Sequence, residues 1–576
     1  MKTESSRTHQ RQQDAPPCDS LSRPESSGNV VIINLTRFGD LLQSQALIRD
    51  LHRAGLRVGL VCLDNFASAL PLLQHVDRAW PLPGARIMAE VEGHWPRAAL
   101  RMLSFVHEIR RHMPGARVIN LTATLPARLL ARLLAPHPDE ITGFGMDAEG
   151  FGFSGGVWAS FLAGTVLRRL NTPFNLVDTF RMVGANAMSA GEKNLLAKSG
   201  VASASRSGLR PPPEAAQEFA RVLLQEGAEA AGIAASCKGF VGMQLGASEA
   251  KRQWPAASFA ALGDRLWREE GLCPVLLGSR AEQALAEDYA RAAHGPSITA
   301  VGRTDIAQLA GLLTQCRLLV TNDTGTMHLA AGEGVPCLAI FLATAQPWDT
   351  GPYLPGCCCL EPAMPCHPCP YGRACPHDHA CLGRIGPVGV GDLVCGWLAT
   401  GRWSAALEDG ASDIGKEARV WLTETDNCGF AAVRCLSLHA TEDRSQWLDA
   451  QRFLWRQMFD NMGEGMPLAA QHNGMQVRAA LSPPFAAAVD STLAQALQLL
   501  ALLEEQAGLV GKSAMAGQLF LRNCERLQSL LDAAPALAAL GGFWRELRQQ
   551  RGGSMTDLTH LIQCLRSTLE QWKDSI

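Results

Sequence analysis

Two blocks of alternating strand-like and helix-like segments, separated by a stretch that suits neither, constrain this chain most. In the first block, NVVIIN (29–34), LRVGLVCL (56–63) and ARVIN (116–120) are short apolar runs. Helical patterns lie between them, such as AALRMLSFVHEIRRHM (98–113). This alternation predicts a parallel sheet covered on both faces. The stretch SASRSGLRPPPEAA (203–216) breaks it, and its Ser, Gly and triple Pro predict a linker. The alternation resumes at GFVGMQLG (239–246) and runs through CPVLLG (273–278), ITAVG (298–302), RLLVTND (317–323) and PCLAIFL (336–342). The expected architecture is α/β. Two doubly wound Rossmann-like domains, 29–202 and 221–400, are joined by a linker at 203–220. Open α/β sheets bind ligands beyond the carboxyl ends of their strands, so two of them create a cleft.

Beyond about residue 415 the pattern changes. ARVWLTETDNCGFAAVRCLSL (418–438) predicts a hairpin, and 443–576 reads as helical. Leu493, Leu497 and Leu500 share a helix face, as do Met515, Leu519, Cys524, Leu527 and Leu531. Both stripes predict the core of a helical bundle within a mainly helical domain, 415–576. A homo-oligomer or protein partner is the alternative use of these helices. Residues 1–28 are polar and lack an apolar segment, which predicts a disordered tail and no secretion signal.

The net charge of −3 gives no polycation for nucleic acid, so any phosphate site should be local. No uninterrupted apolar run reaches the roughly 20 residues of a membrane span. Without an export signal, the eighteen cysteines read as reduced thiols of a cytoplasmic protein, peripheral to the inner membrane at most.

Three stretches near predicted strand ends carry chemistry. In NLTRFGDLLQ (34–43), Gly39 suits a close backbone approach and Asp40 reads either as a helix N-cap or as a general base. In LGASEAKRQWP (245–255), Lys251 and Arg252 suit a diphosphate, or are solvated surface charge. In LLVTNDTGTMHLAAGEG (318–334), a strand runs into Asn322, Asp323, Thr324 and Gly325, and a helix begins. Free N–H groups and a positive helix end suit phosphate oxygens there, and His328 lies one turn on.

Together these stretches resemble glycosyltransferase family 9, the ADP-heptose:lipopolysaccharide heptosyltransferases. The matching motifs are Gly39-Asp40, Arg252-Gln253-Trp254-Pro255, Asp323-Thr324-Gly325-Thr326-Met327-His328 and TAQPWDTGPY (344–353). The resemblance implies a GT-B architecture with the nucleotide-sugar donor held mainly by the second domain. It implies an inverting, metal-independent displacement in which Asp40 is the base. Gly39, Lys251, Arg252, Asn322, Asp323, Thr324, Gly325 and His328 would bind substrate. The implied donor is ADP-heptose, and the acceptor a lipopolysaccharide core sugar or a protein hydroxyl. A degenerate transferase acting as a nucleotide-binding or partner-binding scaffold is a further alternative. Arg252 stands where the family commonly has Lys, and Gln43-Ser44-Gln45 lacks the proline often found after Gly-Asp.

PCHPCPYGRACPHDHACL (365–382) contains Cys366, Cys369, Cys375 and Cys381. The C-x-x-C pair and two further thiols in one short loop suit a structural zinc or iron site. His367, His377, His379 and Cys357–Cys359 are alternative ligands. Some heptosyltransferases have a similar Cys-rich segment, and protein-modifying ones with a cysteine-bound iron are known.

Overall fold

The computed structural model describes residues 28–135, 137–165, 172–198, 208–370, 372–410, 412–462 and 481–576. The expected tail lies outside the described residues except for Gly28. The first sheet comprises β1 (Asn29–Ile33), β2 (Arg57–Leu63), β3 (Arg78–Leu82), β4 (Arg117–Asn120), β5 (Ile141–Met146) and β6 (Gly152–Gly155). Its order is β3-β2-β1-β4-β5-β6, all parallel except the antiparallel edge strand β6. β1 is central because Val30–Ile33 are buried on both faces. β3 (RAWPL) was not among the predicted strands: with a proline and an exposed Arg78 it has neither a continuous apolar run nor clean alternation.

The second sheet comprises β7 (Gly239–Gln244), β8 (Leu272–Leu277), β9 (Ile298–Thr299), β10 (Cys316–Asn322), β11 (Cys337–Ile340), β12 (Cys358–Pro362), β13 (Ala418–Thr425) and β14 (Ala431–Cys435). Its order is β14-β13-β12-β11-β10-β7-β8-β9. The predicted hairpin is therefore real, but it does not open a separate domain. β13 pairs antiparallel with β12 and extends the second sheet, which shifts the start of the helical part to Asp443. Trp421 and Val420 bury against that sheet, a long-range contact that local patterning cannot register.

The linker boundary also moves. The helix Glu214–Ala230 begins inside the expected 203–220 stretch and buries Ala216 and Ala220. A Cβ on Gly311 would stand 2.6 Å from the Ala216 carbonyl oxygen, so the two backbones pack closely. Among the described residues of that stretch, 208–213 lie outside helix and strand, pinned by Leu209 N–H to Gly332 O (3.1 Å) and Arg210 N–H to Leu72 O (2.7 Å).

The C-terminal helices clamp both sheets' domains. Trp455 and Phe459, from the helix Asp443–Asn461, meet Trp158, Phe161 and Phe174 of the first domain with ring centroids 4.4–6.3 Å apart. Phe543, from the helix Ala538–Arg551, joins them, and Gly164 meets Gly542 backbone to backbone. On the other side, Arg452 and Arg456 of the Asp443–Asn461 helix bind Asp426 in the β13–β14 turn.

The leucine stripes are only partly core. Leu493, Leu500, Cys524, Leu527 and Leu531 are buried, whereas Met515 and Leu519 are exposed. The chain returns over the far end of their helix, where Gly541 lies against Leu531 and Asp532, and leaves the first turns uncovered. The helix Pro483–Ala507 has the length and mean hydropathy of a membrane span, although polar residues such as Asp490 and Gln495 interrupt it, and Leu493, Ala496, Leu500 and Leu503 pack into the bundle.

Candidate active site

The two Rossmann-like domains touch where two short helices begin. One is Phe38–Gln43, after β1; the other is Gly325–Gly332, after β10. A Cβ on Gly39 would stand 3.0 Å from the His328 ring and 3.2 Å from Gly325 Cα. A Cβ on Gly325 would stand 2.4 Å from the Phe38 ring. These glycines are needed for close approach across the seam, since any side chain would wedge the domains apart.

Asp40 is the third residue of its helix, and Arg37 holds the cap position without a capping side-chain bond. The simple N-cap alternative is thereby removed. Asn34 Nδ2 bonds the Asp40 carbonyl oxygen (3.0 Å) and fixes this turn. The Asp40 carboxylate has no hydrogen-bonding or ion-pairing partner among the described residues, although it sits half-buried in the seam. His328 lies between Asp40 and Asp323. Burial pulls its pKa below the usual histidine value against the opposing pull of both carboxylates, which keeps the ring neutral near pH 7.

The basic loop divides its two cations. Arg252 donates to Asp323, with a second bond to Ser248 Oγ (3.0 Å), so it reaches the Asp323–Gly325 turn. Lys251 instead pairs with Glu249 (2.9 Å) and faces a different cavity. The Lys251 hydrogen bond holds the Glu249 carboxyl below its usual range, helped by Arg252 and by Arg37 from the other domain. Arg37, absent from the predicted set, is thus brought near the Glu249–Arg252 loop across the seam.

Asn322 is committed to the scaffold. Its Nδ2 donates to the carbonyls of Leu245 (2.9 Å) and Gly246 (3.2 Å), and its Oδ1 accepts from Trp254 N–H (2.8 Å). It therefore aligns the β7 and β10 ends and leaves ligand contact to its neighbours. Trp254, buried, is held by its indole N–H to Ile385 O (2.7 Å). Thr324 caps the Gly325–Gly332 helix in extended geometry, with its hydroxyl 3.3 Å from Thr321 Oγ1. That helix end presents backbone N–H groups toward the seam and suits an anion.

Sequence reasoning left Tyr353 in a motif without a task. Its hydroxyl donates to Asp178 Oδ1 (2.8 Å) and accepts from Arg181 Nη1 (3.1 Å). Arg181 also binds Asp50 (2.6 Å), and Asp178 accepts Ala431 N–H (2.8 Å). This buried network joins the domains beside the seam, and apart from Asp178 and Arg181, one helical turn apart, its residues are too distant in sequence to be paired by inspection.

The four loop thiols line one cavity of about 540 Å³, with Lys251, Arg444, Trp447 and Phe485 around it. Cys375 Sγ accepts N–H bonds from His377 and His379 (3.4 Å each). Burial, and the neighbouring thiols after it, raise Cys369 and Cys381. Among the described residues no three His, Cys, Asp or Glu side chains are arranged to hold a metal ion. The thiols share a cavity without forming a closed ligand set among the described residues. His367, one of the alternative ligands, turns Nδ1 to within 3.3 Å of the buried Glu361 carboxylate.

Two mostly parallel sheets meeting at an anion-suited helix end, with a carboxylate opposite, define the GT-B class. Residues 209–378 match the family model of glycosyltransferase family 9 (heptosyltransferase). The match covers less than a third of this chain, within its second domain. Over 89 residues the chain is 35% identical to lipooligosaccharide heptosyltransferase 2 of Haemophilus ducreyi, covering 15% of this chain and 25% of that one. With the Haemophilus influenzae protein of that name the identity is 28% over 98 residues, 16% of this chain and 28% of that one. The chain thus spans about a quarter of the length of the curated relatives it matches. The solved structure of E. coli ADP-heptose LPS heptosyltransferase II aligns at 17% identity with a TM-score of 0.45, covering 65% of this chain and 99% of that one.

Proposed function

We propose that this chain is an inverting glycosyltransferase that moves heptose from ADP-heptose to an acceptor hydroxyl in lipopolysaccharide core biosynthesis at the cytoplasmic side. The observation that carries this is the unpartnered Asp40 carboxylate set against the Thr324–Gly325 helix end across the seam. Asp40 takes the acceptor proton as the oxygen attacks the anomeric carbon. The departing diphosphate is stabilised by the helix end and by Arg252, which exchanges Asp323 for a phosphate oxygen. Neutral His328 donates or accepts a hydrogen bond without adding charge. The test is nucleotide release across ADP-, UDP- and GDP-sugars. ADP-heptose should be turned over, and Asp40→Asn should lower kcat about 10²–10⁴-fold. Turnover by Asp40→Asn equal to wild type sinks the mechanism.

A protein hydroxyl is the second acceptor reading. The cavity between the Cys-rich loop and the helices, lined by Trp447 and Phe485, supports it because it offers a polypeptide an apolar seat. Transfer of labelled sugar to lipid A–core material or to a purified surface protein separates the two. A scaffold without turnover is what remains if no donor reacts. We further propose that the Cys-rich loop closes around a structural zinc or iron ion held by Cys366, Cys369, Cys375 and Cys381. Metal analysis of the isolated protein, and of Cys369→Ser, checks this.

A further inference from the structure

The first domain turns one helical stripe toward the seam. The helix Phe38–Gln43 passes through Ser44 (φ −73°, ψ −10°) into the helix Gln45–Arg53 with little break. Ser44 N–H reaches Asp40 O (3.2 Å) and Ile48 N–H reaches Ser44 O (3.0 Å). Positions 39, 43, 46 and 50 are spaced i, i+4, i+7 and i+11 along it, which places them on one face. Three of the four have their neighbours at the seam or its joint. Gly39 abuts His328 and Gly325, Ala46 clusters with Val177 and Tyr353, and Asp50 pairs with Arg181 of the Tyr353 network (2.6 Å). Gln43 stands on the same stripe, between the contact with Gly325 and the contact with Tyr353.

Gln43 is 3% exposed, and neither its amide nitrogen nor its amide oxygen has a hydrogen-bond partner among the described residues. Gln45, two residues on and fully buried, shows the ordinary arrangement. Its Nε2 donates to Gln74 O (3.3 Å) and its Oε1 accepts from Gln74 N–H (2.8 Å). An amide buried without partners is unfavourable, and methionine or leucine would fill the space without that cost. A buried amide that the fold leaves unpaired, one turn from the proposed base, points to a partner supplied by binding.

Position and chemistry select that partner. Asp40 lies three residues earlier, about 4.5 Å along the helix axis. Helical side chains lean toward the N-terminus, which carries the Gln43 amide over the Gly39–Asp40 turn. The amide is uncharged and both donates and accepts, so it suits a pair of neighbouring hydroxyls. The diphosphate has other partners, the Gly325 helix end and Arg252.

We infer that the Gln43 amide binds a pair of hydroxyls on a sugar ring seated beside Asp40. This rests on the transferase reading, in which the transferred sugar and a saccharide acceptor both come to that carboxylate. Because the amide is closed to solvent, the seam parts to admit the ring. Gln43→Met keeps the volume and removes the amide. The full-length variant and wild type are compared by Tm, by calorimetric binding of ADP and of ADP-heptose, and by KM for lipid A–core material at saturating ADP-heptose. Tm should be equal or higher, because a buried unpaired amide is gone. ADP affinity should not change. Loss of two neutral hydrogen bonds should lower ADP-heptose affinity, or raise the lipid A–core KM, by about tenfold. The first result assigns the hydroxyls to the donor sugar, the second to the acceptor. If neither constant moves, the inference is overturned and the amide is left to a buried water. A lower Tm or weaker ADP binding marks a packing role and overturns it too. If wild type releases nucleotide from no sugar donor, the transferase reading falls and takes this assignment with it. Turnover by wild type, matched in every constant by Gln43→Met, removes this assignment alone.

Discussion

Replacing Arg181 with Leu should loosen the joint between the two sheets' domains. The guanidinium serves Asp50, Asp178, the Tyr353 hydroxyl and Gly429 O from a site only 11% exposed. Asp178 is fully buried, and burial lifts its pKa against the pull of Arg181 and the Tyr353 hydroxyl. Removing the cation leaves two carboxylates underpaired in low dielectric, at a cost of about 3–5 kcal/mol. Tyr353→Phe removes one hydroxyl bonded to charged groups and should cost about 1.5–3 kcal/mol. Amide hydrogen exchange reads these losses locally, without assuming that so large a chain unfolds in one step. About 1.4 kcal/mol is tenfold in an opening equilibrium. The Leu176–Ala185 helix should therefore exchange about 10–100-fold faster in Tyr353→Phe, and faster still in Arg181→Leu. The Gly84–His112 helix, remote from this network, should not change. A change below about threefold at Leu176–Ala185 in Arg181→Leu would refute the reasoning that this network holds the domains together.

Other outcomes follow from the same geometry. Glu333, with burial pushing its pKa up to about 7, keeps in the native state a proton that the unfolded chain has lost by that pH. Its contribution to stability therefore falls as pH rises from about 4.5 to 7, and Glu333→Gln should raise Tm at pH 8 while leaving pH 4 unchanged. Asn322→Ala should cost roughly 2–3 kcal/mol in a denaturant titration, because it strands Trp254 N–H and the Leu245 and Gly246 carbonyls. Gly325→Ala should weaken donor binding by wedging its methyl against the Phe38 ring, and Phe38→Ala in the same chain should restore it, as read by calorimetry.

The sequence by itself determined most of the secondary structure and the position of the candidate anion-binding turn. β-Branched runs such as Val30–Ile33 are buried wherever they fall, and a strand ending in Asn-Asp-Thr-Gly leaves its N–H groups at a helix start. These are local properties, with periods and turn residues readable within a dozen positions. The tertiary structure decided what depends on distant partners. It sent Arg252 to Asp323 and Lys251 to the cysteine cavity, though the two are adjacent in sequence. It turned Asn322 from a ligand contact into a clamp, and it assigned Gly39 the task of fitting against Gly325. It drew β13 and β14 into the second sheet and laid the C-terminal helices across both domains. The physical reason is the same in each case. A side chain's hydrogen bonds and burial are fixed by whichever groups the fold brings within about 3–4 Å, and sequence spacing does not measure that distance.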